Sequence, residues 1–236
     1  MAHPTVLRGI SSMATKAVLS QLTQSYQQLT GIVVEIESVG GVDAAKRIQQ
    51  GENFDMVLLA SDAIARLKEA RFVIANSPHD WVQSEIAMAI PAGKAKFKIE
   101  NEASLKDAVL ASPSISYSTG PSGVYLEKLF ERWGVLDSIK ARLVVPPPGV
   151  PVGSLLATGQ VALGFQQMSE LISLPGIEIL GQLPEDVAFI TTFCAAIPSP
   201  LAQQTERIQA IKAFFNHLSS DAAREVKLAH GMSPMP

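Results

Sequence analysis

A chain of 236 residues is long enough for one large domain or for two small lobes, each with its own core. Hydrophobic residues make up 47% and charged residues 17%, which excludes a disordered chain, and a formal net charge of -3 without any lysine or arginine run argues against nucleic acid as a partner. The single cysteine, Cys194, excludes an internal disulfide and reads as a small core residue, and no cysteine–histidine cluster has the spacing of a zinc site.

Val6 to Ile10 predicts a first strand, after which Ser11 and Ser12 stand at the entrance of a helix with Val18, Leu19, Leu22 and Tyr26 on its apolar face. Gly31 closes that helix. Ile32 to Ser38 predicts a second strand, with Val34 and Ile36 alternating with Glu35 and Glu37. Val39-Gly40-Gly41-Val42 is a flexible turn opening a helix that holds Ala44, Ala45 and Ile48 and ends at Gly51. Phe54 to Ala60 is strongly apolar, as in a strand buried on both faces of a parallel sheet, and Ser61-Asp62 is expected to cap the next helix. Strand, turn and helix repeated in this way imply an α/β layer with right-handed crossovers. Ligands of such sheets bind beyond the carboxyl ends of the strands, so the turns at Ser11, at Ser38 to Gly41 and at Ser61 are expected near one another.

A second α/β segment follows. Glu85 to Pro91 predicts a strand, Gly93 to Asn101 a polar connection, and Ser104 the cap of a helix to Ala111. Ser114 to Tyr117 then reads as a strand, Ser118-Thr119-Gly120-Pro121-Ser122-Gly123 as a turn, and Val124, Leu126, Leu129, Phe130 and Trp133 as a helical stripe. Unpaired N–H groups at such a helix start, with hydroxyls beside them, suit an oxyanion or carboxylate. The plainer reading makes Ser118 or Ser122 a helix cap. Leu143 to Val145 predicts a strand running into Pro146, Pro147 and Pro148; Val152 to Thr158 predicts a short helix; Val161 to Phe165 predicts a buried strand that delivers Gln166, Gln167 and Ser169 to its carboxyl end; and Ile177 to Leu180 predicts one more strand.

Phe189 to Ala196 predicts a strand crossing back to the first lobe, followed by helices with Ile208, Ile211, Phe214, Phe215 and Leu218 on one stripe and Val226 and Leu228 on the next. The expected architecture is therefore α/β and two-lobed, each lobe a mostly parallel sheet flanked by helices: residues 1–83 with 190–236 form the first lobe and 84–189 the second. Two crossings form a hinge, and a small-molecule site is expected in the cleft between the lobes. The stretch from Leu143 to Ser169 is uncharged but broken by prolines and glycines, so no membrane insertion is expected. His3, His79, His217 and His230 form no coherent acid–base or metal set, and no nucleophile elbow, P-loop or dinucleotide fingerprint is present, so neither metal nor cofactor is expected.

Several segments in order carry a resemblance to a known family: Gly9-Ile10-Ser11-Ser12, Arg47 to Gly51 followed by Phe54-Asp55-Met56-Val57, Ala60-Ser61-Asp62, and Leu156 to Gly164. Over nearly its whole length the chain resembles the type II periplasmic-binding-protein family, in its molybdate-binding-protein-like branch. The resemblance implies two lobes closing on a small anionic ligand held by serine hydroxyls and backbone N–H groups. It places ligand-binding positions at Ser11 or Ser12, within Ser38-Val39-Gly40-Gly41, at Ser118-Thr119-Gly120 with Ser122 beside them, and close to Val152. Neutral donors hold an anion through directional hydrogen bonds, without a buried counter-charge.

Where molybdate binders of that branch carry a tyrosine after the late strand, this chain has Gln166-Gln167, and its second loop is Gly-Gly instead of an alanine-serine turn. Glutamine offers donors and acceptors together, which suits an organic carboxylate at least as well as a tetrahedral oxyanion. The alternative is an enzyme, because the same superfamily includes an isomerase of aconitate, and an allylic proton shift needs a positioned base. Candidate bases are Tyr117, Glu170 and Asp43, with Arg8 as a candidate charge partner for a substrate carboxylate. Their plainer readings are core packing for Tyr117, first-turn acids for Glu170 and Asp43, and a strand-end surface charge for Arg8. Met1-Ala2-His3-Pro4 does not read as a secretory signal. If a signal was removed, the expectation is a periplasmic receptor whose partner is the membrane component of an ATP-binding-cassette transporter; otherwise it is a cytoplasmic protein.

Overall fold

The computed structural model describes residues 6–147 and 150–235, so His3 and Pro148 lie outside the described residues. In chain order the elements are β1 (Val6–Ser12), α1 (Lys16–Thr30), β2 (Val33–Val39), α2 (Gly41–Gln49), β3 (Met56–Ala60), α3 (Ser61–Glu69) and β4 (His79–Pro91). Next come α4 (Glu102–Ala111), β5 (Ile115–Tyr117), α5 (Pro121–Arg132), α6 (Leu136–Ile139), α7 (Val152–Ala157), β6 (Leu163–Gln167), α8 (Met168–Leu171) and β7 (Ile177–Gln182). The last are β8 (Ile190–Ala196), α9 (Thr205–Leu218), α10 (Asp221–Ala229) and β9 (Ser233–Pro234). The chain divides into two compact units, one of residues 1–83 with 192–236 and one of residues 84–191. β4 and β8 carry the chain from one unit to the other.

In the first unit β1 lies between β2 and β3, parallel to both, and β8 runs antiparallel to β3. Gly9 lets the side chains close in over the centre of β1: a Cβ there would come 2.6 Å from Ile36 Cδ1 and 2.7 Å from Met56 Cγ, and both would have to shift. α1 ends at Gly31 with φ 72, a left-handed conformation that glycine adopts without cost. Met56, Val57, Leu58 and Leu59 of β3 are wholly buried, and each apolar side chain removed from water in this way contributes roughly 1.5–3 kcal/mol. One face of the sheet packs Leu7, Met56 and Leu58 under α1 and α9, where Tyr26 meets Phe214 edge to face at 5.2 Å; the other packs Ile10, Val57 and Leu59 with Ala44, Ile48 and Ile64 of α2 and α3. Asp55, just before β3, accepts two hydrogen bonds from Arg207 of α9, at 2.7 Å and 2.6 Å. That clamp gives the Phe54-Asp55-Met56-Val57 segment a structural role.

The second unit has a mixed sheet. β5 and β6 are parallel, whereas β4 runs antiparallel to β6 and to β7, with an irregularity between Met88 and Ala89. Ile86, Met88, Leu126, Phe130 and Phe165 form its main core, with Phe130 and Phe165 edge to face at 6.1 Å.

Several sequence expectations shift here. Leu143 to Val145 forms a single bridge to Ile115 instead of a strand, since Pro146 and Pro147 lack the N–H groups that would extend a ladder. The buried strand starts at Leu163 and runs through Gln167, which pairs with Ile86, while Ala162 N–H is taken by the Ser114 hydroxyl at 2.9 Å. Ser104 lies inside α4, whose cap is Asn101; their side chains bond reciprocally to each other's backbone as a capping box. Ser61 is the first residue of α3 and does not cap it, because its hydroxyl donates instead to Asp80 at 2.8 Å.

Candidate functional site

The first unit gathers three of the predicted serines. Ser11 and Ser38 are direct partners in the parallel register of β1 and β2 and project from the same face, which brings their hydroxyls to 2.8 Å. Ser12 is buried, and its hydroxyl has no hydrogen-bond partner among the described residues. It closes β1 and begins the 3-10 turn that leads into α1. A Cβ added to Gly41 would lie 3.8 Å from Ser12 Cβ, which places the first residue of α2 against that serine. Gly40 occupies the cap position of α2 and has no side chain with which to satisfy the first N–H groups of the helix. Two strand ends and one open helix start therefore meet at Ser12.

Asp43 is exposed in the first turn of α2; a Cβ on Gly40 would stand 3.2 Å from its Oδ2. Arg8 stands apart from the serines. It is 70% exposed and pairs with Glu35 at 3.5 Å, its register partner on β2.

In the second unit, Ser118 follows β5 and Ser122 lies in the first turn of α5, with their hydroxyls 2.7 Å apart. Gly120 is the cap of α5 and Pro121 its first residue, so neither serine caps the helix. The loop closes tightly on the helix: a Cβ at Gly123 would fall 1.6 Å from the Ser118 carbonyl oxygen, so only glycine fits. A cavity of about 280 Å³ is lined by Tyr117, Ser118, Thr119 and Gly123, together with Val124, Glu127 and residues 143–145. Tyr117 packs edge to face on Phe130 at 6.0 Å, and burial, with the nearby Glu127 carboxylate, pushes its hydroxyl above the ordinary tyrosine range. A larger cavity of about 570 Å³, beside residues 203–207 and Ala210 at the start of α9, touches none of the predicted residues.

The two glutamines point to opposite faces of β6, as successive strand residues must. Gln166 accepts a hydrogen bond from Gly153 N–H at 3.0 Å and donates to Glu170 Oε1 at 2.8 Å. Gln167 donates to Thr191 Oγ1 at 2.7 Å, and its own carbonyl oxygen is buried without a partner among the described residues. The sequence treats the pair as one set, whereas the structure gives each its own network; Gln167 stands at the cap position of α8, but its side chain makes no cap hydrogen bond. Part of the Glu170 side chain reaches the surface, yet so much protein surrounds the carboxyl that desolvation pushes it up to about 7, partly opposed by the Gln166 amide. Val152 is buried and begins α7, so what it can offer a ligand is its backbone.

Gly153 and Thr191 are the two partners that sequence reasoning missed. Gly153 could have been suspected from its neighbour Val152, while Thr191 carries no local signal beyond its place in a crossing strand.

The chain is 33% identical to an aconitate isomerase from Pseudomonas sp, over an alignment covering 98% of this chain and 89% of that protein. Among solved structures it is similar to the periplasmic molybdate-binding protein of Azotobacter vinelandii, with a TM-score of 0.79, 19% identity and coverage of 98% and 99% of the two chains. It is also similar to the L-phospholactate-bound form of PEB3, a Campylobacter jejuni protein, with a TM-score of 0.72, 16% identity and coverage of 96% and 99%. At those identities the structural likeness speaks for the fold, which is the two-lobed α/β fold expected from the sequence. Residues 7–233 match the family of bacterial extracellular solute-binding proteins, and the chain belongs to that family.

Proposed function

We propose that this chain captures a small anionic solute, an organic di- or tricarboxylate in preference to a metal oxyanion. The observation that carries the reading is the repeated pairing of serine hydroxyls beside an open helix start, Ser11 with Ser38 and Ser118 with Ser122, with the buried Ser12 hydroxyl left unsatisfied among the described residues. Such donors suit an anion without a counter-charge. Preference for a carboxylate is supported by the identity to an aconitate isomerase and by the L-phospholactate held by PEB3. A family of extracellular solute-binding proteins supports placement in the periplasm and delivery to the membrane component of an ATP-binding-cassette transporter, and no helix among the described residues is long and apolar enough to cross a membrane.

A second reading is that the bound acid is turned over, as an isomerisation of a propene tricarboxylate. It is favoured by the identity to an aconitate isomerase and by Glu170, a carboxylate poised near neutrality beside Gln166.

A thermal-shift screen against molybdate, tungstate, sulfate, phosphate and a panel of di- and tricarboxylates tests both readings, with NMR of each recovered ligand. A ligand at one hundred times its Kd stabilises the native state by about 2.7 kcal/mol, so a carboxylate should raise the Tm by several degrees. Stabilisation by molybdate or tungstate alone would overturn the carboxylate reading.

A further inference from the structure

The second unit contains a hydrogen-bonded chain with a direction. Gly153 N–H donates to Gln166 Oε1, which fixes which end of the amide faces α7, and the Gln166 amide nitrogen must then face Glu170, where it donates to Oε1. Glu170 is thereby held at one oxygen by a neutral donor. Among the described residues no lysine, arginine or histidine forms an ion pair with it. α7 reads VGSLLA and β6 reads LGFQQ, both without charge, and Glu170 is the only ionisable residue of α8. β4, which pairs with β6, carries Glu85 on the same face as Ala87 and Gln166, and β7, on the other side of β4, has one acid, Glu178, which is engaged with Lys96. Glu170 is thus a carboxylate without a cationic partner among the described residues, clamped at one oxygen by Gln166 and linked through it to the start of α7 at Gly153.

We propose that Glu170 is the base that takes and returns the proton when a propene tricarboxylate moves its double bond, and that Gln166 is a positioning residue that orients it. This rests on the second reading above. The free carboxylate oxygen of Glu170 accepts a proton from the methylene carbon lying between a carboxylate and the alkene. The C–H electron pair becomes the new double bond, and the old π pair moves to the far alkene carbon. That carbon then takes the proton back from the Glu170 acid. Atoms and electrons balance without oxidant or reductant, and the product is the same skeleton with its double bond on the other side, free to close in either geometry. A carboxyl near neutrality suits this role, since a base must be ionised to accept the proton and its acid must still be able to give it up.

The test follows cis- and trans-aconitate by proton NMR in D2O with the wild-type chain, Glu170→Gln, Glu170→Asp and Gln166→Leu. The wild type is expected to interconvert the two acids and wash deuterium into the methylene position, with kcat/KM rising with pH through about 7 as Glu170 ionises. Glu170→Gln should lower kcat by roughly 10²–10⁴-fold with KM held within about threefold. Glu170→Asp should recover part of the rate. Because the Gln166 amide favours the ionised form, Gln166→Leu should move the midpoint of the pH profile upward. A wild type that binds aconitate without converting it or exchanging deuterium sinks the second reading and this assignment with it. A wild type that converts it while Glu170→Gln is equally active leaves the reading standing and overturns the role of Glu170. Equal loss of binding and turnover in Glu170→Gln would make the residue merely structural and also overturn it.

Discussion

Ser11 and Ser38 face one another across the parallel ladder of β1 and β2, with hydroxyls 2.8 Å apart, and the buried hydroxyl of the next residue, Ser12, has no partner among the described residues. Two polar groups that satisfy each other beside one that does not form a site incomplete in the free protein. An unsatisfied buried hydroxyl costs about 1–3 kcal/mol, a cost that a ligand oxygen can remove.

Ser12→Ala therefore separates binding from stability. The ligand-free variant should melt no lower than the wild type, because an unsatisfied group has been removed. Carboxylate affinity, measured by calorimetric titration, should fall by about 1–3 kcal/mol. A lowered Tm with unchanged affinity would mark Ser12 as a packing residue.

The loop before α5 makes a paired prediction. Gly123→Ala forces a Cβ to 1.6 Å from the Ser118 carbonyl, so loop and helix must separate; denaturant unfolding should show a loss of about 3 kcal/mol, and the Ser118–Ser122 pair should be disrupted. Gly120→Ala meets nothing within 4 Å, at an ordinary backbone φ of -84, and should change stability by less than about 0.5 kcal/mol.

Arg207 and Asp55 tie α9 to the start of β3 through two charge-assisted hydrogen bonds, and Asp55 is buried. Arg207→Met leaves that carboxylate without its charge partner, with the Arg8 backbone N–H, at 2.7 Å, still donating to it. Urea unfolding should show a cost of about 3 kcal/mol, with Asp55→Asn, Arg207→Met together costing less than the sum of the single changes.

Lys227 supplies a pH signature. Its ammonium is buried against Trp81, donating to the Trp81 carbonyl at 2.6 Å, and burial lowers its pKa from 10.5 to about 8. Between about 8 and 10.5 the unfolded chain holds a proton that the folded chain has lost, so this residue makes stability rise with pH across that window. Lys227→Met should flatten the rise when unfolding is followed from pH 7 to pH 10.

The first half of the fold was legible because its signals are local. Val34 and Ile36 alternate with glutamates, β3 is apolar throughout, and Gly31 sits where α1 must stop. What was not legible depends on distant partners. β6 continues through Gln166 and Gln167 because β4 offers Ile86 and Ala87 as partners, and once they lie in a strand, alternation sends the two glutamines to opposite faces. The serines at strand ends could be picked out as candidates, but their mutual distances come from the register of β1 on β2 and the tight approach of Gly123 to Ser118. Glu170 could be named as an acid near a helix start; its desolvated setting and its bond to Gln166 come only from the elements packed around it.

Isothermal titration of the wild type and Ser12→Ala with cis-aconitate and, separately, with molybdate decides whether the Ser12 site takes a carboxylate. Saturable binding of the tricarboxylate is expected, weakened about tenfold or more in Ser12→Ala, a change of about 1.4 kcal/mol, with molybdate bound more weakly than the tricarboxylate. Molybdate binding with no heat from the tricarboxylate, or tricarboxylate binding unchanged in Ser12→Ala, would contradict that expectation.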